Sequence, residues 1–111
     1  ILGSLEYAVL HLNTPLIMVM GHTNCGMITG VAKDLELDGS IASLTPAIEP
    51  HVENVREEDG DLVYNATVEV TRQTAKQLSR SEPILTDKVK TGSLLVMAAM
   101  YELKTGEVTL L

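Results

Sequence analysis

Cysteine, cationic side chains and large aromatics are all scarce in this sequence. Among 111 residues there is one Cys, three Tyr, and no Phe or Trp. A lone cysteine excludes an internal disulfide framework and fits a reducing compartment, which points to the cytoplasm. Without Phe or Trp the core must be built from Leu, Ile, Val, Ala and the five Met residues, which pack adaptably. Eight Lys and Arg stand against fifteen Asp and Glu, for a net charge of −7. Such a surface is not made to hold a phosphate backbone, so no nucleic acid partner is expected. No apolar stretch reaches the roughly 18 residues a membrane span requires, so no membrane partner is expected either. The opening Ile1-Leu-Gly-Ser-Leu-Glu6 has no basic flank and no initiator Met, and it begins in mid-pattern. It does not read as a signal peptide, and the pattern predicts that Ile1 is not the natural start.

What is present is 45% hydrophobic and fits one domain over residues 1–111. Ser4 is a candidate N-cap for a helix carrying Leu5, Ala8, Val9 and Leu12 at the spacing of one apolar face. Pro15 stops that pattern. Leu16 to Met20 is a five-residue apolar run without alternation, as expected of a parallel strand covered on both faces. Gly21 punctuates it, and from Gly26 the residues Met27, Ile28, Val31 and Ala32 predict a second helix. Between Ser40 and Glu58 the helical spacing of Ile41, Leu44, Ile48, Val52 and Val55 is broken by Pro46 and Pro50. A short turn followed by a helix capped by Thr45, with Pro46 at its first position, is the expected solution. Asp61 is a candidate cap for a long helix to about Ser81, with Tyr64, Val68, Thr71, Ala75 and Leu78 as its buried stripe. Ser93 to Tyr101 predicts another apolar strand, and Glu107 to Leu111 a final hairpin strand. The expected class is α/β, with a short, mainly parallel sheet flanked by helices. Its apolar edges invite pairing with a second chain, so a homo-oligomer is expected.

The chemistry concentrates in Gly21-His22-Thr23-Asn24-Cys25-Gly26, which places a histidine and the only cysteine three residues apart where a strand gives way to a helix. Open α/β sheets place ligand sites at such edges. An imidazole and a thiolate are donors zinc prefers, and this spacing lets both meet one ion. The glycines on both sides predict a rigid bracket whose backbone can approach a small ligand closely. Three other readings stand beside this one. Cys25 can be a buried small hydrophobe with His22 a turn residue, or a nucleophile activated by His22, although a phosphatase loop needs Arg where Val31 stands. A nucleotide-binding turn lacks both the G-x-G-x-x-G order and a P-loop Lys. His11 and His51 have no partner at metal spacing and read as surface or packing residues.

Gly3-Ser-Leu-Glu-Tyr-Ala-Val9, the apolar strand and Gly21-His-Thr-Asn-Cys-Gly26 together resemble the central segment of β-class carbonic anhydrases. Thr71-Arg-Gln-Thr-Ala-Lys-Gln-Leu78, the strand ending Tyr101-Glu-Leu and the turn Lys104-Thr-Gly-Glu-Val108 are similar to that family's C-terminal half. The resemblance implies zinc held by two cysteines and one histidine, an extensively dimerising α/β fold, and reversible hydration of carbon dioxide to bicarbonate. It makes His22 and Cys25 the histidine and the second cysteine. The first cysteine of the family belongs to an upstream Cys-x-Asp-x-Arg motif, which these 111 residues do not contain. The implied domain is therefore one lacking its N-terminal segment, with an incomplete zinc site and impaired activity on its own. The alternative is a non-catalytic assembly module that keeps the carbonic anhydrase scaffold and pairs through its sheet edge.

Overall fold

A computed structural model describes residues 1–111. The first helix, α1, spans Leu2–His11 and begins a turn earlier than the sequence predicts. The carbonyl of Ile1 already accepts from the amides of Ser4 and Leu5, so Ser4 lies inside the first turn and is not the cap. Of the expected apolar face, Val9 is buried and packs with the strand that follows, while Leu12 is exposed at the C-terminal end.

That strand, β1, spans Leu16–His22 and continues through Gly21. After it come α2 (Gly26–Ala32), a 3-10 turn over Gly39–Leu44, and α3 (Thr45–Val55). Pro46 sits in the first turn of α3, where the missing amide costs nothing, but the helix also passes through Pro50. One internal hydrogen bond is forgone there, and the burial of Val52 and Val55 beyond it holds the helix together. The long helix α4 spans Leu62–Ser79, its start fixed by Asp61, whose carboxylate accepts from the Tyr64 amide at 2.9 Å. A short α5 (Leu85–Lys90) leads into β2 (Leu95–Tyr101), and β3 (Val108–Leu110) returns as the expected hairpin.

The sheet is mixed, in the order β1-β2-β3, with β1 and β2 parallel and β2 and β3 antiparallel. The register pairs Leu16 with Leu95 and runs to His22 opposite Tyr101. Alternate residues therefore divide between two faces. Ile17, Val19 and Gly21 of β1, with Val96, Ala98 and Met100 of β2, face the helices. Ile17 joins Val9, Leu85 and Leu94 in one buried cluster; Ile28, Val31, Ala32, Val52, Val55 and Ala66 form another between α2, α3 and α4.

The opposite face corrects the expectation of strands covered on both sides. Leu16, Met20, Leu95 and Leu110 on it are 41%, 46%, 57% and 57% exposed, and Met18 and Val108 are exposed with them. Only Ala99, between Met20 and Leu110 in the register, is fully shielded. An unbroken apolar run thus does not require two covered faces within one chain. The buried stripe of α4 is also rotated from the expected one: Ala66, Thr67, Thr71 and Ala75 are buried, Val68 is partly covered, and Tyr64 is exposed.

Candidate metal centre

The site starts from a glycine. A Cβ at Gly21 would collide with the Thr71 hydroxyl, lie 2.9 Å from Met100 Sδ and 3.0 Å from Thr67 Cγ2. No side chain fits there, because α4 crosses directly against the end of β1. The two threonines tolerate this dry contact because each hydroxyl donates to its own helix, Thr67 to the Val63 carbonyl and Thr71 to the Thr67 carbonyl, both at 2.7 Å. Gly21 is therefore a packing residue and does not open the backbone to a ligand, as the bracket of glycines suggests. Gly26 has nothing within 4 Å of the position a Cβ would take.

His22 is the last residue of β1 and lies on the open face of the sheet, opposite Tyr101. Its Nδ1 is 2.9 Å from the Thr23 carbonyl oxygen. A carbonyl only accepts, so Nδ1 carries the proton in this contact and Nε2 is left with its lone pair. Metal-binding histidines are commonly fixed in just this way, one nitrogen tied to a carbonyl and the other free to ligate.

Cys25 is the N-cap of α2, half-buried, with its thiol unpaired to any other cysteine. Its carbonyl accepts from the Thr29 amide at 2.9 Å and the Thr29 hydroxyl at 2.8 Å, which fixes the turn into the helix. Its side chain also touches the cluster around Ile28. Asn24, between the two residues of interest, takes the left-handed conformation at φ 55°, which Asn tolerates better than most side chains.

The loop is tied down by residues the sequence reading did not single out. Thr23 donates from its hydroxyl to Glu102 Oε1 at 3.1 Å and accepts from the Leu103 amide at 3.0 Å. Its own amide donates to the Tyr101 carbonyl, and Glu102 Oε1 also accepts from the Lys104 amide. Thr23 and Glu102 are 79 positions apart in sequence, so no local pattern links them. The usable signal is the parallel register: each follows the last residue of its strand, and those last residues, His22 and Tyr101, are partners. Beside this latch lies a polar cleft of about 530 Å³ that Thr23, Asn24, Lys33, Tyr64 and Lys104 help to line, without His22 or Cys25.

Zinc fits the donor types that His22 and Cys25 offer, but not their number. A zinc site takes three or four protein ligands, and no group of three or more His, Cys, Asp or Glu side chains converges anywhere in the chain. His11, exposed and ring to ring with Tyr7 at 4.9 Å, and His51 on α3 supply nothing to it. Within these 111 residues the two side chains do not by themselves reach the ligand number of a zinc site.

A histidine at the end of a parallel strand, a cysteine capping the next helix and a hairpin closing the sheet define an α/β domain of a particular class. A family model described as carbonic anhydrase matches residues 1–108, and the chain belongs to that family, in its β class. Carbonic anhydrase 2 of Mycobacterium tuberculosis is 29% identical over 114 residues, covering 99% of this chain and 55% of that protein. The carbonic anhydrase of Synechococcus elongatus is 27% identical over 96% of this chain and 42% of its own length. Among solved structures, a tetrameric β-carbonic anhydrase from Sordaria macrospora superimposes with a TM-score of 0.88 at 22% identity, over 98% of this chain and 58% of that one. The β-carbonic anhydrase CcaA gives 0.80 at 28% identity, over 97% and 52%. The chain thus spans about half the length of the curated relatives it matches. No helix in it is long and apolar enough to cross a membrane.

Proposed function

We propose that this chain contributes His22 and Cys25 as two zinc ligands to a β-carbonic anhydrase centre for the reversible hydration of carbon dioxide to bicarbonate, working in the cytoplasm. The observation that carries the reading is the fixed His22 ring: Nδ1 donates to the Thr23 carbonyl, which leaves Nε2 as the nitrogen available to a metal. A zinc ion held by His22 and Cys25 together with further donors would supply the Lewis acidity that lowers the pKa of water to about 7. The chain's own contribution is to hold the imidazole in one tautomer, to cap α2 with the thiol-bearing residue, and to brace the loop through Thr23 and Glu102. The remaining donors come from outside these 111 residues, and the open face on which His22 stands is where they have room to approach.

Metal analysis of the purified chain, paired with a carbon dioxide hydration assay, tests the proposal. Weak, substoichiometric zinc is expected, lost in Cys25→Ser and in His22→Ala, with hydration near background. Stoichiometric zinc with full turnover would overturn the half-site reading, and zinc binding unaffected by either substitution would overturn the assignment of ligands.

The exposed apolar face also favours a second reading, a non-catalytic module that assembles with a copy of itself. Light scattering separates the two. Association that persists in the metal-free Cys25→Ser chain supports assembly as a role of its own, and a monomer at all concentrations removes it.

A further inference from the structure

At the far end of α4 from the Thr23 loop lies a second cleft, of about 520 Å³, lined by His51 of α3 and by Gln73, Lys76, Gln77, Arg80 and Ser81. Tyr64 and Arg80 are separated by more than four turns of helix, roughly 24 Å along its axis, and the two clefts share no lining residue. Its lining contains no carboxylate, in a chain where acids outnumber bases by fifteen to eight. Neither Lys76 nor Arg80 is in an ion pair; the chain's one salt bridge joins Arg56 to Glu53. The negative end of the helix dipole favours a basic residue in the last turn of α4. It accounts for the basic residues and for the lack of acids there, but not for the histidine that α3 brings to the same concavity.

His51 gives the lining its sense. Its Nδ1 is buried and without a hydrogen-bond partner. In the neutral ring, one nitrogen carries the proton and the other a lone pair. Burying an N–H with no acceptor forfeits a strong donor, so the lesser cost places the bare lone pair at Nδ1 and the proton at Nε2. With the proton at Nε2, His51, one of the lining residues, has a donor to offer the cleft. Lys76, Arg80 and the Gln77 amide are donors as well. Gln73 is committed through its amide to Glu69 Oε1 at 2.9 Å, and the Ser81 hydroxyl donates to the Gln77 carbonyl at 2.9 Å. Two cations, an imidazole N–H and a free amide around one concavity match a ligand that only accepts and carries more than one negative charge.

We propose that this cleft binds a phosphate-class oxyanion, with the Arg80 guanidinium and Lys76 ammonium as its charged contacts and His51 and Gln77 as neutral donors. Its volume admits either inorganic phosphate or a small phosphomonoester. Titration of the isotopically labelled chain with inorganic phosphate, followed by NMR at constant ionic strength, tests this. Saturable shifts of the His51 ring and of the Gln77 and Arg80 amides are expected, and sodium chloride at the same ionic strength should not reproduce them. Lys76→Gln with Arg80→Gln should weaken binding by about tenfold or more, as loss of charge-assisted hydrogen bonds implies, while the circular dichroism spectrum stays unchanged because both residues are on the surface. Glycerol phosphate in place of phosphate separates the two sources: tighter binding identifies an ester as the natural ligand, and weaker binding the free ion. Shifts that rise linearly without saturation, or that persist undiminished in the double variant, overturn the proposal. None of these readouts depends on zinc or on hydration, so they stand or fall separately from the function proposed above.

Discussion

Successive residues of β1 occupy two different environments. Ile17 and Gly21 are sealed under helices, Gly21 so closely that α4 leaves no room for a methyl group. Leu16, Met18 and Met20, one residue away in each case, face outward with much of their apolar surface exposed. The two faces are about equally hydrophobic in sequence, so composition does not tell them apart. What separates them is the set of elements that follow: α1, α4 and α5 all pack on one side, and the other side carries only the sheet itself and the imidazole of His22. The helical face is a finished core within this chain. The open face has no such cover within this chain.

That contrast can be broken most sharply at Gly21. Gly21→Val adds three carbons where one already collides with Thr71, and a loss of about 4 kcal/mol or outright unfolding is expected, read from the denaturant midpoint. A paired substitution comes next. Ile17→Ala should cost about 3 kcal/mol, whereas Met18→Ala in dilute protein should change stability by less than about 0.5 kcal/mol. A Met18→Ala cost that approaches that of Ile17→Ala, or one that grows with protein concentration, would show that the open face is covered in solution. Asp61→Ala, which removes the cap of the helix that seals the packed face, should lose about 1 kcal/mol in thermal melts.

The smallest effect is expected far from both faces. The exposed Arg56 guanidinium donates to Glu53 and holds that carboxyl below the usual carboxylate range. A lowered folded-state pKa stabilises above the ordinary carboxylate value and fades as pH falls through the folded one. Because the pair is exposed that contribution is small, so Glu53→Gln should lower the melting temperature at pH 7 only slightly, and the difference from the parent should vanish under acid. A clear loss at neutral pH would mean that surface pairs matter more here than the contrast between the faces allows.

Much of the architecture was readable because local signals coincide with it. Asp61 caps α4, Pro46 falls in the first turn of α3, Gly26 to Ala32 forms a helix, and the turn before Val108 makes the hairpin. Thr45, however, is the first helical residue of α3 and not its cap, and Leu44 stands at the cap position without a side-chain cap. Where local signals failed, tertiary contact decided. Ser4 is a good cap residue, but the Ile1 carbonyl starts the helix first. Pro50 should interrupt α3, but Val52, fully buried, and Val55 anchor the turn beyond it. The proline and the buried valines act on different scales, and the buried surface prevails. Gly21 looked like an opening for a ligand and is a contact with a helix 46 to 50 positions later, a fact that only the crossing of α4 reveals. The candidate site was legible as residue types and spacing, since His22 and Cys25 fall where a strand meets a helix. Its bracing was not, because Thr23 meets Glu102 only through the register of two distant strands.

The latch between Thr23 and Glu102 sets an order of events on the nascent chain. Everything from α2 to α5 must be synthesised and the chain must return as β2 before the hydroxyl of Thr23 has a carboxylate to meet, and closing so long a loop is slow. A ribosome-bound intermediate that stops short of Leu95 therefore carries its imidazole and thiol on an untethered loop. Any ion captured at that stage would be gripped by groups free to let it go.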